Sequence, residues 1–120
     1  MKIDHIQLAI PEKSEQLCHQ FWIAILGFDE LEKPENLRSR GGAWFQNGGV
    51  EIHLGVEKSF RPAEKAHPAF AVDQITLLAD SLKANDHVVL WDISIPRRRR
   101  FFTTDPVGNR IEFMDISRNE

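Results

Sequence analysis

Gly49-Val50-Glu51-Ile52-His53-Leu54 and Gly108-Asn109-Arg110-Ile111-Glu112-Phe113 are the two stretches whose reading decides the fold. Each begins at glycine, alternates apolar with polar residues, and carries a metal-competent side chain at the same place, His53 in one and Glu112 in the other. Alternation with a period of two marks a half-buried strand. Asn47-Gly48-Gly49 leads into the first stretch and Asp105-Pro106-Val107-Gly108-Asn109 into the second. Both are turn sequences, so each stretch reads as the later arm of a hairpin.

Working outward, the earlier arms fall at residues 43–47 and 99–103, and the later arms run over 50–55 and 110–116. Residues 3–10 alternate, with Ile6, Leu8 and Ile10 on one face and His5, Gln7 and Ala9 on the other. Residues 66–72 form the matching strand of the second half, with Phe70 and Val72 opposite His67, Ala69 and Ala71. A helix follows each. The first is expected to be capped by Ser14, striped by Leu17, Phe21 and Ile25 with Trp22 and Leu26, and stopped at Gly27. The second is expected from an Asp73 cap to about Ala84, with Leu77, Leu78 and Leu82 apolar. Short strands at 28–31 and 88–91 complete a repeated order of β-α-β-β-β, and residues 33–40 read as a polar loop. The fold class is therefore α+β, with modules at about 1–56 and 66–117 and a linker at about 57–65.

The repeat carries chemistry. His5 and His67 open the first strand of their halves, and His53 and Glu112 sit in the fourth strand of theirs. By parity each projects from the face opposite its strand's apolar set. If two curved sheets form the walls of a cup with helices outside, all four side chains point into it. Three imidazoles and one carboxylate suit a borderline divalent ion such as Zn, Ni, Fe, Co or Mn better than Ca. Such a centre polarises oxygens and steadies an enediolate, and Glu112 is the candidate general base. A lone strand histidine is usually structural; it is the matched positions and parity that point to metal. His19 and His87 share neither feature.

Composition narrows the classes. A net charge of −3 and a pI near 5.9 give no pull toward nucleic acid. No apolar run approaches the ~20 residues of a membrane helix. Asp4 and His5 interrupt what would be the apolar region of a signal peptide, and the single Cys18 cannot form an internal disulfide, so the expected location is the cytoplasm.

On DHIQLAIP, FWIAILGF, VEIHLGV, AHPAFAV and above all FFTTDPVGNRIEFM, the chain resembles the vicinal oxygen chelate superfamily of glyoxalase I, fosfomycin-resistance thiol transferases, extradiol dioxygenases and bleomycin-binding proteins. The resemblance spans nearly the whole chain. It implies paired βαβββ modules around a metal held by His5, His53, His67 and Glu112, a small oxygenated substrate bound by bidentate chelation, and a lyase or isomerase activity. It also implies a homodimer, since members commonly complete the cup with halves from two chains. Glyoxalase I enzymes often have Glu where this chain has His53. The alternatives are a metal-dependent thiol transferase of the fosfomycin-resistance type, with a thiol cosubstrate, and a binding protein without turnover.

Two further positions are candidate substrate contacts. Of Arg97-Arg98-Arg99-Arg100, alternation turns Arg100 inward as an anion anchor while the rest read as a solvated edge. Trp44 either lines the cup or packs in the core. Gly41-Gly42 either lets substrate approach the backbone or simply opens a strand.

Overall fold

The computed structural model describes residues 1–117. Two compact units divide between Pro62 and Ala63. The first contains β1 (Ile6–Ile10), α1 (Glu15–His19) continued by a π-helical stretch (Gln20–Ile25), β2 (Asp29–Leu31), a 3-10 segment (Glu35–Arg40), β3 (Ala43–Asn47) and β4 (Val50–Val56). The second contains β5 (Ala69–Val72), α2 (Ile75–Ala84), β6 (Leu90–Asp92), β7 (Arg100–Thr104) and β8 (Arg110–Asp115).

Both units build the same four-stranded mixed sheet, ordered β1-β4-β3-β2 and β5-β8-β7-β6. In each the first strand runs parallel to the last, with Gln7 opposite His53 in one unit and Ala69 opposite Glu112 in the other. The α+β class and the doubled βαβββ order are as the sequence implies.

The turn chemistry places the fourth strands. Asp105 Oδ1 accepts the backbone N–H groups of Val107 (3.1 Å) and Asn109 (2.8 Å), and Oδ2 accepts Asn109 Nδ2 at 3.0 Å. Gly108 supplies the positive φ of 98° that closes this loop and launches β8. Burial pushes the Asp105 carboxyl above its ordinary range, while the donors around it pull the other way.

The helices differ from expectation in detail. Leu17 is exposed, and Ser14, Cys18, Phe21 and Trp22 form the buried side. The bonding widens in the second half of the helix, where Leu26 N–H reaches the Phe21 carbonyl. Ser14 does not cap the helix; its hydroxyl donates to the Pro11 carbonyl. In α2 the buried positions are Ile75, Ala79 and Leu82, spaced 4 and 7, while Leu77 faces out. Residues 33–40 are not all loop, since 35–40 wind into the 3-10 segment. His5 and His67 both stand just ahead of their first strands rather than within them.

Each core is aromatic and aliphatic: Phe21, Trp22, Phe45 and Ile52 in the first unit, Phe101, Ile111, Phe113 and Leu82 in the second. Full burial of such a side chain stabilises by about 1.5–3 kcal/mol. These apolar faces leave His53 and Glu112 on the other side of β4 and β8, yet both are still well covered, at 6% and 5% exposure.

Candidate metal centre

The first unit brings His5 and His53 together. Their rings stack at 3.9 Å and 17°. Trp44, opposite His53 in the β3–β4 register, stacks on the other face of that imidazole at 3.9 Å and 5°. Trp44 is thus neither a simple core residue nor a free wall but one slab of a three-ring stack. Asp4 Oδ2 sits 2.8 Å from His5 Nδ1, and Glu51 Oε2 sits 2.7 Å from His53 Nε2.

The second unit brings His67 and Glu112 together, with Nε2 to Oε1 at 2.8 Å. The Lys65 carbonyl lies 2.8 Å from His67 Nδ1, so both ring nitrogens of His67 face oxygens that accept. Phe102 meets the His67 ring edge-on at 5.4 Å and steadies its plane. Arg100 Nη1 donates to Glu112 Oε2 at 3.0 Å, Nη2 to Ser94 Oγ at 3.0 Å, and the guanidinium lies 3.4 Å from Asp92. The bond to Glu112 raises the Arg100 pKa further above its ordinary value. Arg100 therefore does point inward, but its first partner is Glu112.

Two other arginines of the run are spent elsewhere: Arg98 on the Asp115 carbonyl and Arg99 on Thr76 and the Trp91 ring. Arg100 Nε is buried and has no hydrogen-bond partner among the described residues. A recess of about 430 Å³ beside it is bounded by Trp91, Asp92, Ile93, Ile95, Arg97 and Arg100.

The residues fit a divalent ion in part. An imidazole with Nδ1 held by an oxygen and Nε2 directed at a carboxylate is the outer-shell arrangement of metal-binding histidines. Two donors on neighbouring octahedral vertices with ~2.1 Å bonds stand roughly 3.0 Å apart, close to the His67–Glu112 spacing. Among the described residues no group of three or more His, Cys, Asp or Glu side chains is gathered to hold a metal ion. Each unit carries a pair.

Sequence reasoning missed Asp4, Glu51 and the Lys65 carbonyl as partners of the three histidines. Glu51 was legible in principle, because it lies two residues from His53 on the same strand face. Gly42 approaches not a ligand but its own fold: a Cβ there would lie 2.0 Å from the Leu54 carbonyl oxygen.

A glyoxalase family protein from Bacillus anthracis is similar in structure and in sequence, at 44% identity over 96% of this chain and 94% of that one, with a TM-score of 0.92. The chain belongs to the glyoxalase family, within the vicinal oxygen chelate superfamily. A glyoxalase/dioxygenase from Nostoc punctiforme is similar to this family member at 26% identity, 95% and 90% coverage and a TM-score of 0.76. The fosfomycin resistance protein FosX of Listeria monocytogenes, as a variant complexed with Mn(II) and 1S,2S-dihydroxypropylphosphonic acid, shares the fold at 16% identity, 97% and 92% coverage and a TM-score of 0.79. No family model matches the chain, and no protein of curated function matches it in sequence. Among the described residues no helix is long and apolar enough to cross a membrane.

Proposed function

We propose that this glyoxalase family member is a metal-dependent enzyme of the lyase or isomerase type acting on a small oxygenated substrate. The observation that carries the reading is the His67–Glu112 pair, with Nδ1 of the imidazole anchored and Nε2 set 2.8 Å from the carboxylate. Its donors come from four positions, His5 and His53 in one unit and His67 and Glu112 in the other. A bound divalent ion (Zn, Ni, Fe, Co or Mn) supplies Lewis-acid polarisation of two neighbouring substrate oxygens. Glu112 takes the substrate proton on Oε1, the oxygen that Arg100 does not hold. Arg100 adds the unpartnered Nε as a donor for an anionic group of the substrate, and Trp44 keeps His53 in plane. In this reading the protein works as a homodimer, in the cytoplasm, where the buried Cys18 stays reduced.

The unsatisfied Arg100 Nε beside an arginine-lined recess favours one second reading, in which the same centre opens an electrophile such as an epoxide bearing a phosphonate, with a thiol as cosubstrate. FosX, which shares the fold, is crystallised with Mn(II) and a dihydroxy phosphonate. The metal-reconstituted protein, offered a hemithioacetal and then an epoxide with and without thiol, separates the two. Isomerisation of the hemithioacetal that stops on chelation supports the first reading. Thiol-dependent loss of the epoxide supports the second, and inertness toward both leaves a binding role and overturns turnover.

A further inference from the structure

The segment that opens the second unit is pinned along the start of β8. Asn109 Oδ1 accepts the Ala63 backbone N–H at 3.0 Å, and the Ala63 carbonyl accepts the Arg110 N–H at 2.9 Å. These two bonds hold Glu64 near Arg110, and both residues line a recess of about 210 Å³ together with Leu90, Phe102, Thr104 and Gly108. Strand register supplies the rest of the wall. Phe102 stands opposite Leu90 across β6–β7, and Thr104 opposite Arg110 across β7–β8. The recess thus has an apolar floor, a hydroxyl, one cation and one anion. Phe102 is the residue it shares with the surroundings of His67.

The two charges do not neutralise each other. The Arg110 guanidinium lies over the Phe102 ring, 4.0 Å from its centre. A ring takes one face of the cation and none of its five N–H donors, which lie in the guanidinium plane. Among the described residues, neither Arg110 nor Glu64 has an ion-pair partner. An arginine and a glutamate that border one recess without meeting leave a gap with a positive end and a negative end.

We propose that this recess binds a small zwitterion of the α-amino acid type. Its carboxylate takes the Arg110 fork bidentately and accepts from the Thr104 hydroxyl, and its ammonium faces Glu64. An apolar side chain lies over Phe102 and Leu90. Arg110 and Glu64 then select for both charges on one molecule, because a ligand with a single charge leaves the opposite group of the recess without its partner. The site needs no metal ion, and all its residues belong to the second unit.

The test is isothermal titration calorimetry on the protein as purified and after metal removal with EDTA. The probes are L-leucine, 4-methylpentanoate, which lacks the ammonium, and 3-methylbutylamine, which lacks the carboxylate. L-Leucine is expected to bind at least about tenfold more tightly than either analogue, and equally with and without EDTA. Arg110→Gln should weaken L-leucine and 4-methylpentanoate about tenfold and leave the amine unchanged. Glu64→Gln should weaken L-leucine and the amine and leave 4-methylpentanoate unchanged. The comparison of the three probes on the wild type stands even where a variant fails to fold. Equal affinities for the three, no heat from L-leucine, or L-leucine binding unmoved by Arg110→Gln overturns the site. Binding that disappears with the metal overturns it as well, since the amino acid would then be chelating the ion. Failure of L-leucine to bind the EDTA-treated protein leaves the metal reading above untouched.

Discussion

Glu112 lies under two donors, His67 Nε2 on one oxygen and Arg100 Nη1 on the other, and those contacts divide its chemistry between an exchangeable face and a fixed one. Asp105, the other well-buried carboxylate of the second unit, has a different task. It ties the turn before β8 and so sets where Glu112 begins. Because burial raises its folded pKa, the folded state binds a proton more tightly here than the unfolded chain, whose value is near 3.9. Stability from this group is therefore present at low pH and is lost as pH rises through the raised folded value. Urea unfolding of wild type and Asp105→Asn from pH 3.5 to 7 checks the sign: the wild-type advantage should shrink as pH rises over that window. A growing advantage would show that the donors of Val107 and Asn109 outweigh burial. Matched repeat positions and strand parity single out His5, His53, His67 and Glu112 in the sequence, and the structure sets His5 against His53 and His67 against Glu112. Which ring nitrogen each histidine offers was not legible there, since that depends on rotamers and on neighbours such as Asp4 and the Lys65 carbonyl.

At the scale of elements, β3 and β4 are held close by a glycine that admits no alternative. Gly42 has φ of 82°, and a Cβ would meet the Leu54 carbonyl oxygen at 2.0 Å, whereas Gly49 in the hairpin turn has nothing within 4 Å. Gly42→Ala should destabilise by about 3 kcal/mol or more, through strain and backbone displacement. Gly49→Ala should stay within about 0.5 kcal/mol. Thermal and urea melts of the two variants compare them, and equal stabilities would refute the close approach. The two hairpins, β3–β4 and β7–β8, followed from the alternation and the two turns. The helical faces were read less well: Leu17 was expected inside, but the buried side is the one shared by Ser14, Cys18, Phe21 and Trp22.

For the whole molecule the consequence is division of labour. Each unit has one βαβββ sheet and half of the candidate donors, His5 with His53 before Pro62 and His67 with Glu112 after it. The homodimer proposed above is open to a complementation test. His5→Ala and His67→Ala chains, each deficient alone, should recover about a quarter of the wild-type metal content when unfolded together and refolded. Half of the dimers are then mixed, and each mixed dimer holds one intact site of two. No recovery would mean that both units of one chain close the same centre.

In the proposed centre, side chains far apart in sequence grip one divalent ion. Elemental analysis of the protein as purified, beside His5→Ala, His67→Ala and Glu112→Ala variants that keep the wild-type circular dichroism, measures this directly. One transition-metal ion per chain in the wild type and a deep loss in all three variants is the predicted result. Full metal content in the three variants would contradict it.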